Sequence, residues 1–254
     1  MFWNKSCNWG VSANKIPSNP FKGMKDLIVI PSNKSKLEIT ENSGYNSIDP
    51  FSEAEAKVIL KAFENHHQYC HYKPLVHFLF LTGCRSSEAV SLSWEHISSD
   101  LKIITFQDAI VSASGNLIKK RLKNKDVRKF PCNQQLQDLL SSIKPNDKAE
   151  GIVFKSLDGK IIRTRVFNAL VWNQCTIHGK KYIGLVRQLA NDGKIHHYRP
   201  QYQTRHTFIT CMINAGMEVR YLAQLVGNSP EIIYKYYAGL KPGGFIIPSL
   251  DLDV

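Results

Sequence analysis

From residue 51 onward the apolar positions fall into clear periods. In "PFSEAEAKVILKAF" they recur at helical spacing, and Ser52 with Glu55 three residues later forms a capping box that starts the helix. "KPLVHFLFLTG" is apolar on all sides, the mark of a buried helix, and Gly83 stops it. "SSEAVSLSWEHI" predicts a further helix behind a serine cap. From about residue 102 to 131 the period drops to two. "KIITF", "AIVSAS", "LIKKRL" and "VRKFP", with a turn at Gly115-Asn116, predict a small antiparallel sheet of about three strands. "NQQLQDLLSSI" and "RVFNALVWNQC" then return to helical spacing.

"QTRHTFITCMINAG" and "VRYLAQLVG" predict two more helices, each closed by a glycine. In the second, Val219, Leu222, Ala223 and Val226 form an i, i+3, i+4, i+7 stripe. Ser229 reads as an N-cap with Pro230 at the first helical position and Glu231 in the first turn. "GNSPEIIYKYYAG" is therefore a short helix carrying Tyr234, Tyr236 and Tyr237. The fold class is α+β, mainly helical, with one small antiparallel sheet. Ahead of residue 51 the pattern is uneven. "NWGVSANKIPSNPFKG" reads as a helix end running into a loop, "DLIVI" as one short strand, and "PSNKSKLEITENSGYNSIDP" as an exposed linker.

Composition narrows the function. The chain has 254 residues, 43% of them apolar, which is enough for a real core. Thirty-three Lys and Arg against 21 Asp and Glu give a formal charge of +12. A surplus of that size points to a polyanion, nucleic acid before an anionic membrane surface. The longest apolar stretch, "LVHFLFL", is too short to span a bilayer, and "MFWNKSCNWG" lacks the layout of a secretory signal. Six scattered cysteines with no C-x-x-C read as reduced thiols of a cytoplasmic protein. His66, His67, Cys70 and His71 have helical i, i+4 spacings that could suit zinc, but no second ligand pair lies near in sequence. No metal and no cofactor are assigned.

Four pieces carry candidate chemistry: "LTGCRSSEAVSLSW" around Arg85, "RLKNKDVRKFP" around Lys123, "YQTRHTFIT" around Arg205, and the tyrosine helix. Each is weak alone. An arginine after a buried helix is ordinarily a surface ion pair, a basic hairpin is as often solvated as phosphate-bound, and a helical tyrosine ordinarily packs. Taken in order and at these offsets, they resemble the catalytic domain of the tyrosine recombinases, the phage integrase family, over about residues 50 to 240.

The resemblance implies site residues. The family's first arginine follows a T-G-x-R-x-x-E turn, which gives Arg85, with Glu88 supporting it. Its lysine lies on a β-hairpin eight residues before a proline, which from Pro131 gives Lys123. Its second arginine sits in H-x-x-R-H-T, where Arg205 fits but Tyr202 replaces the usual histidine. The nucleophile comes nine residues after the histidine of a G-H pair; here the pair is Gly227-Asn228, and the count selects Tyr237 rather than Tyr236 or Tyr234. His206 reads as structural. Lys119, Lys120, Arg121, Lys125 and Arg128 are the candidate DNA contacts of the basic hairpin.

The chemistry asks for these residue types independently of the name. Cutting a strand without metal or water needs a side-chain nucleophile and cations for the phosphorane-like transition state. Two arginines can fork onto the non-bridging oxygens as a lysine cannot, and charge stabilised only in the transition state lowers the barrier most. The product would be a 3′-phosphotyrosine and a free 5′-hydroxyl, so that rejoining needs no ATP.

The resemblance also implies an organisation and partners. Residues 1–24 read as the remnant of a helical core-binding domain, 25–50 as a linker, 51–240 as the catalytic domain and 241–254 as a tail. That layout reads as truncated, with weak, non-specific DNA binding expected. The implied partners are double-stranded DNA and further copies of the chain, as a tetramer on DNA, with no membrane. The tail, with its Gly-Gly hinge and "FIIPSL", would pass to a neighbour or pack on its own domain. Two other readings compete. A helix-turn-helix regulator or silent DNA-binding remnant would use the same last helices, and a type IB topoisomerase would use similar residues.

Overall fold

Ser52 and Glu55 start the first long helix of the chain's larger unit as the pattern predicts. The Ser52 hydroxyl accepts from the Glu55 N–H at 3.1 Å, and the Glu55 carboxylate accepts from the Ser52 N–H at 2.9 Å. The computed structural model describes residues 7, 9–19, 48–113, 116–123, 127–145 and 149–237. The chain divides into two units, residues 1–43 and 44–254. In the first, residues 9–12 are helical and the chain then turns through Asn14 at φ 53°. "DLIVI", most of the linker, the Gly115 turn, Lys125 and the tail lie outside the described residues.

In the second unit the capped helix α1, Glu53–Asn65, buries Ile59 and Phe63. It stops before the histidines. His66 is extended, its Nδ1 accepts from the N–H groups of Gln68 and Tyr69, and a 3-10 turn follows at Cys70–Tyr72. The helical spacing on which a zinc reading of His66, His67, Cys70 and His71 depends is therefore lost. Among the described residues no group of three His, Cys, Asp or Glu is placed to hold a metal. Helix α2, Lys73–Thr82, is buried through Leu75, Val76, Phe78 and Leu79, and ends at Gly83 with φ 58°.

The next helix is shorter than predicted. α3 is one turn, Ser86–Ala89, with Arg85 rather than a serine at its N-cap. The Ser91 hydroxyl bonds to the carbonyls of Glu88 and Asp108, which ends the helix and ties it to the sheet region. The predicted three-stranded sheet is two pairs instead. β1, Ile103–Phe106, pairs with β4, Arg128–Pro131; β2, Asp108–Ala113, pairs with β3, Asn116–Arg121. Burial explains the division. Ile104, Phe106 and Phe130 face the core, whereas β3 exposes every residue except the half-buried Leu117.

Asn133 caps α4, Gln134–Ile143, by accepting from the Leu136 N–H at 3.0 Å. The predicted helix over "RVFNALVWNQC" ends early. One α turn, α5 at Thr164–Val166, passes into a π turn at Phe167–Trp172 and breaks at Asn173. Gln174 and Cys175 then belong to a hairpin, β5 Gln174–Ile177 with β6 Lys180–Ile183, followed by α6, Leu185–Asn191. Every residue of β6 is exposed, so no apolar alternation marks it in the sequence.

The last three helices follow the predicted order: α7 Gln203–Asn214, α8 Val219–Val226 and α9 Pro230–Tyr237. Leu222, Ala223 and Val226 bury the stripe of α8, and Gly227 closes that helix at φ 66°. A chain of rings from Phe63 through Trp172, Phe51 and Phe80, with a second from Phe154 through Phe78, Phe106 and Phe130 to Phe208, fills the core. Arg199 fastens the start of the unit, bonding Asp49 at 2.9 Å and Glu55 at 2.8 Å. No helix among the described residues is long and apolar enough to cross a membrane.

Candidate active site

Two helix-ending glycines hold the two arginines. Gly83 and Gly227 both adopt left-handed backbone, open to glycine without the usual steric cost. Arg205, on α7, donates through Nη1 to the Gly83 carbonyl at 2.8 Å. Arg85, two residues beyond Gly83, donates through Nη2 to the Gly227 carbonyl at 3.0 Å. The ends of α2 and α8 thus position the arginines of two separate sequence motifs.

Glu88 sits fully buried beneath this pair. Arg85 Nη1 donates to it at 3.1 Å. Its stronger partner is Arg128, whose Nη1 and Nη2 reach the two carboxylate oxygens at 3.0 and 2.8 Å. Burial works against ionisation of Glu88, but the Arg128 fork outweighs it and holds the carboxyl below the usual carboxylate range. Arg128 also donates through Nε to the Leu225 carbonyl at 2.7 Å and lies 4.5 Å from the Phe106 ring centre. Its side chain is 8% exposed. The expectation that Arg128 belongs to an exposed DNA-facing row is corrected: its guanidinium faces inward and braces Glu88.

Arg205 is 1% exposed. Burial pushes its pKa down, yet a guanidinium remains charged at neutral pH. Its Nη2 is buried and has no hydrogen-bond partner among the described residues. A buried, charged donor left unsatisfied is costly, and an anion supplying an oxygen there would relieve that cost.

Tyr237 separates from its neighbours. Its side chain is 4% exposed, against 55% for Tyr234 and 50% for Tyr236. Its hydroxyl is hydrogen-bonded to Nδ1 of His206. Burial raises the phenol well above its ordinary pKa, and the positive charge of Arg205 offsets part of that rise. Burial, then the Arg205 charge, lowers the His206 imidazole to about 4. Tyr202 precedes α7, half-buried, with its ring edge-on to His206 at 5.2 Å between centres. Asn228 follows Gly227 and donates its backbone N–H to the Ala223 carbonyl at 3.0 Å.

Direct bonds join Arg85 to Glu88 and Arg205 to the turn before Arg85, while a further bond joins His206 to Tyr237. Lys123 is exposed in the segment after β3, and no hydrogen bond or ion pair among the described residues joins its amine to this network. Lys119 pairs with Asp108 at 3.1 Å, Arg121 bonds Gln107 at 3.4 Å, and Lys120 is exposed. The positions of two named residues differ from their sequence reading. Arg128 shares the inward face of β4 with Phe130, a period-two signal that was available. His206 stands one turn after Tyr202, so the i, i+4 rule places both on one helix face.

Residues 50–242 match the Phage integrase family, and the chain belongs to that family, the tyrosine-type site-specific recombinases. The chain is 25% identical over 233 residues to a tyrosine recombinase XerC-like protein of Caldanaerobacter subterraneus subsp. tengcongensis. That match takes in 87% of this chain and 56% of the relative, so the chain spans little more than half the relative's length. The fold is similar to the integrase of the Tn1549 transposon, solved with transposon right-end DNA: TM-score 0.61, 17% identity, 92% of this chain and 71% of that one. It is also similar to XerA recombinase: TM-score 0.52, 17% identity, 78% and 65% of the two chains.

Proposed function

We propose that this chain cuts and rejoins duplex DNA through a covalent 3′-phosphotyrosyl link, with Tyr237 as nucleophile. The observation that carries the reading is the buried Arg205 guanidinium. It is anchored on one side by Gly83, has an unmatched donor on the other, and its charge acts on the Tyr237 phenol. A phosphodiester oxygen fits that buried cationic donor.

In this reading Arg205 and Arg85 take the non-bridging oxygens and stabilise the charge that grows as Tyr237 attacks phosphorus. Glu88 and Arg128 hold Arg85 and the end of α8 in register. Lys123, on the exposed hairpin segment, swings in with the DNA and protonates the departing 5′ oxygen. Tyr202 and Asn228 donate hydrogen bonds to phosphate, through a hydroxyl and an amide. Lys119, Lys120, Arg121 and Lys125 track the backbone. Assembly as a tetramer on DNA, a role in moving a mobile element, and a cytoplasmic location complete the reading. The transposon integrase likeness supports the mobile-element role and the six free cysteines the location.

The test is covalent trapping. The protein is incubated with a pool of nicked duplexes of randomised sequence, and denaturant-stable protein–DNA adducts are scored. An adduct that depends on Tyr237 and Arg205 supports the reading. DNA binding with no adduct at any site favours the silent DNA-binding alternative.

A further inference from the structure

The first histidine of the H-x-x-R-H-T pattern is Tyr202 in this chain, and a phenol accepts no proton at neutral pH. One helical turn on, His206 bonds the hydroxyl of Tyr237 through Nδ1. The two rings lie 5.8 Å apart between centres and tilt by 32°. Tyr202 packs edge-on against the same imidazole, with an interplanar angle of 73°. The bulk that replaces the usual histidine therefore buttresses a second histidine that touches the nucleophile.

We propose that His206 is the proton acceptor of this site, taking the phenolic hydrogen of Tyr237 as its oxygen attacks phosphorus. The proposal rests on the recombinase reading above. The role assigns the phenol as donor in this bond, with the lone pair on Nδ1 and the ring hydrogen on Nε2. Burial and Arg205 keep the ring neutral at pH 7, which leaves Nδ1 free to accept. The charged and titratable groups against it among the described residues are Tyr202 just before α7, Arg205 on α7 and Tyr237 on α9. A phosphodiester on Arg205 adds negative charge beside the imidazole and raises its proton affinity when the proton must move.

The step balances. The Tyr237 oxygen forms the bond to phosphorus and releases its hydrogen to His206 Nδ1. The phosphorus–O5′ bond breaks, and the leaving oxygen takes a proton from Lys123. In rejoining, the attacking 5′-hydroxyl returns a proton to Lys123, and Nδ1 returns one to the tyrosine oxygen.

Two measurements on the full chain test this. In nitrogen-15 NMR at pH 7, His206 is expected neutral with hydrogen on Nε2, and its Nδ1 signal should move in Tyr237→Phe. In single-turnover trapping on the randomised nicked duplexes, His206→Ala should slow adduct formation about 100-fold at pH 7. The rate should recover toward pH 10 as hydroxide takes over, and added imidazole should restore part of it. A sulfur at the 5′-bridging position needs no acid, so it should rescue Lys123→Ala and leave His206→Ala slow. A protonated ring, hydrogen on Nδ1, a wild-type rate in His206→Ala, or a loss equal at every pH with no imidazole rescue would overturn the assignment. Wild-type protein that forms no adduct instead sinks the recombinase reading itself, and the assignment with it.

Discussion

The carbonyl of Gly83 accepts from Nη1 of Arg205 at 2.8 Å, so the turn that presents one arginine also anchors the other. Gly83 is fixed in kind by two constraints. Its φ of 58° disfavours a side chain, and a Cβ there would lie 2.5 Å from Cδ1 of Phe208. Gly83→Ala should destabilise the protein by about 2 kcal/mol through strain and overpacking together. Denaturant midpoints will read this. Because the turn carries Arg85 as well, adduct formation should fall further than the drop in stability accounts for.

Glu88 gives a second, separable prediction. Glu88→Ala leaves Arg128 buried without its carboxylate, which should cost about 3–5 kcal/mol. Glu88→Gln keeps an oxygen for one arginine bond and should cost less. If the buried pair matters chiefly as a brace, Arg128→Met with Glu88→Gln should regain stability relative to Glu88→Ala while leaving Arg85 loosely held. Urea unfolding of the three variants, set beside their trapping rates, checks this.

How far the sequence carried the reading depends on which residues recognise each other locally. The box of Ser52 and Glu55, the Gly83 and Gly227 stops and the stripe of α8 rest on interactions within one helix, so they were legible. The pairing of β1 with β4 and the short α3 depend on partners far along the chain, Phe130 and Asp108, which no local period contains. The count to Tyr237 came from the family resemblance, and no local period signals that this residue is buried beside His206. The inward turn of Arg128 was visible in the alternation of "VRKFP" but was hidden by counting charges along a basic run. The bonds from each arginine to a distant glycine carbonyl had no sequence signal at all.

Acid should weaken the fold in two windows with the same sign. Burial opposes ionisation of Glu55, but N–H donors from Ser52 and His196 and the Arg199 guanidinium outweigh it and hold its pKa at about 2, against an ordinary 4.5. A depressed carboxyl contributes stability present above pH 4.5 and lost as pH falls through 2. Asp49, also lowered beside Arg199, acts in the same direction. His206, at about 4 against 6.5, contributes stability present above pH 6.5 and lost as pH falls through 4. His66, His77 and His96 are lowered as well, so the variant isolates one histidine among several. Urea midpoints from pH 7.5 down to pH 3 should fall less steeply between pH 6.5 and 4 in His206→Gln.

The basic hairpin can be divided by salt. Lys120 is exposed, whereas Arg128 is committed to Glu88 and Leu225. Removing a side chain that neutralises one phosphate should reduce the salt slope of DNA binding by about 0.9. Lys120→Ala should do so and leave the urea midpoint unchanged. Arg128→Ala should lower the midpoint instead, because it strips the buried Glu88 of its main partner. Titrations of binding against salt, with unfolding curves on the same samples, distinguish the two. A slope change in Arg128→Ala with an unmoved midpoint would return that residue to the DNA face.

The three tyrosines of α9 offer the most direct test of the assigned nucleophile. Tyr237→Phe removes one hydroxyl and its bond to His206 but keeps the buried ring. Stability should change by about 1 kcal/mol, the net worth of one hydrogen bond. Covalent adduct should vanish altogether, since no other group takes the phosphoryl. Tyr234→Phe and Tyr236→Phe change hydroxyls on exposed rings and should leave both adduct and stability near wild type. Trapping all three variants on one DNA pool decides the matter. An adduct that survives Tyr237→Phe and disappears in Tyr236→Phe would place the nucleophile on the exposed face of α9 and leave the buried phenol as a packing residue.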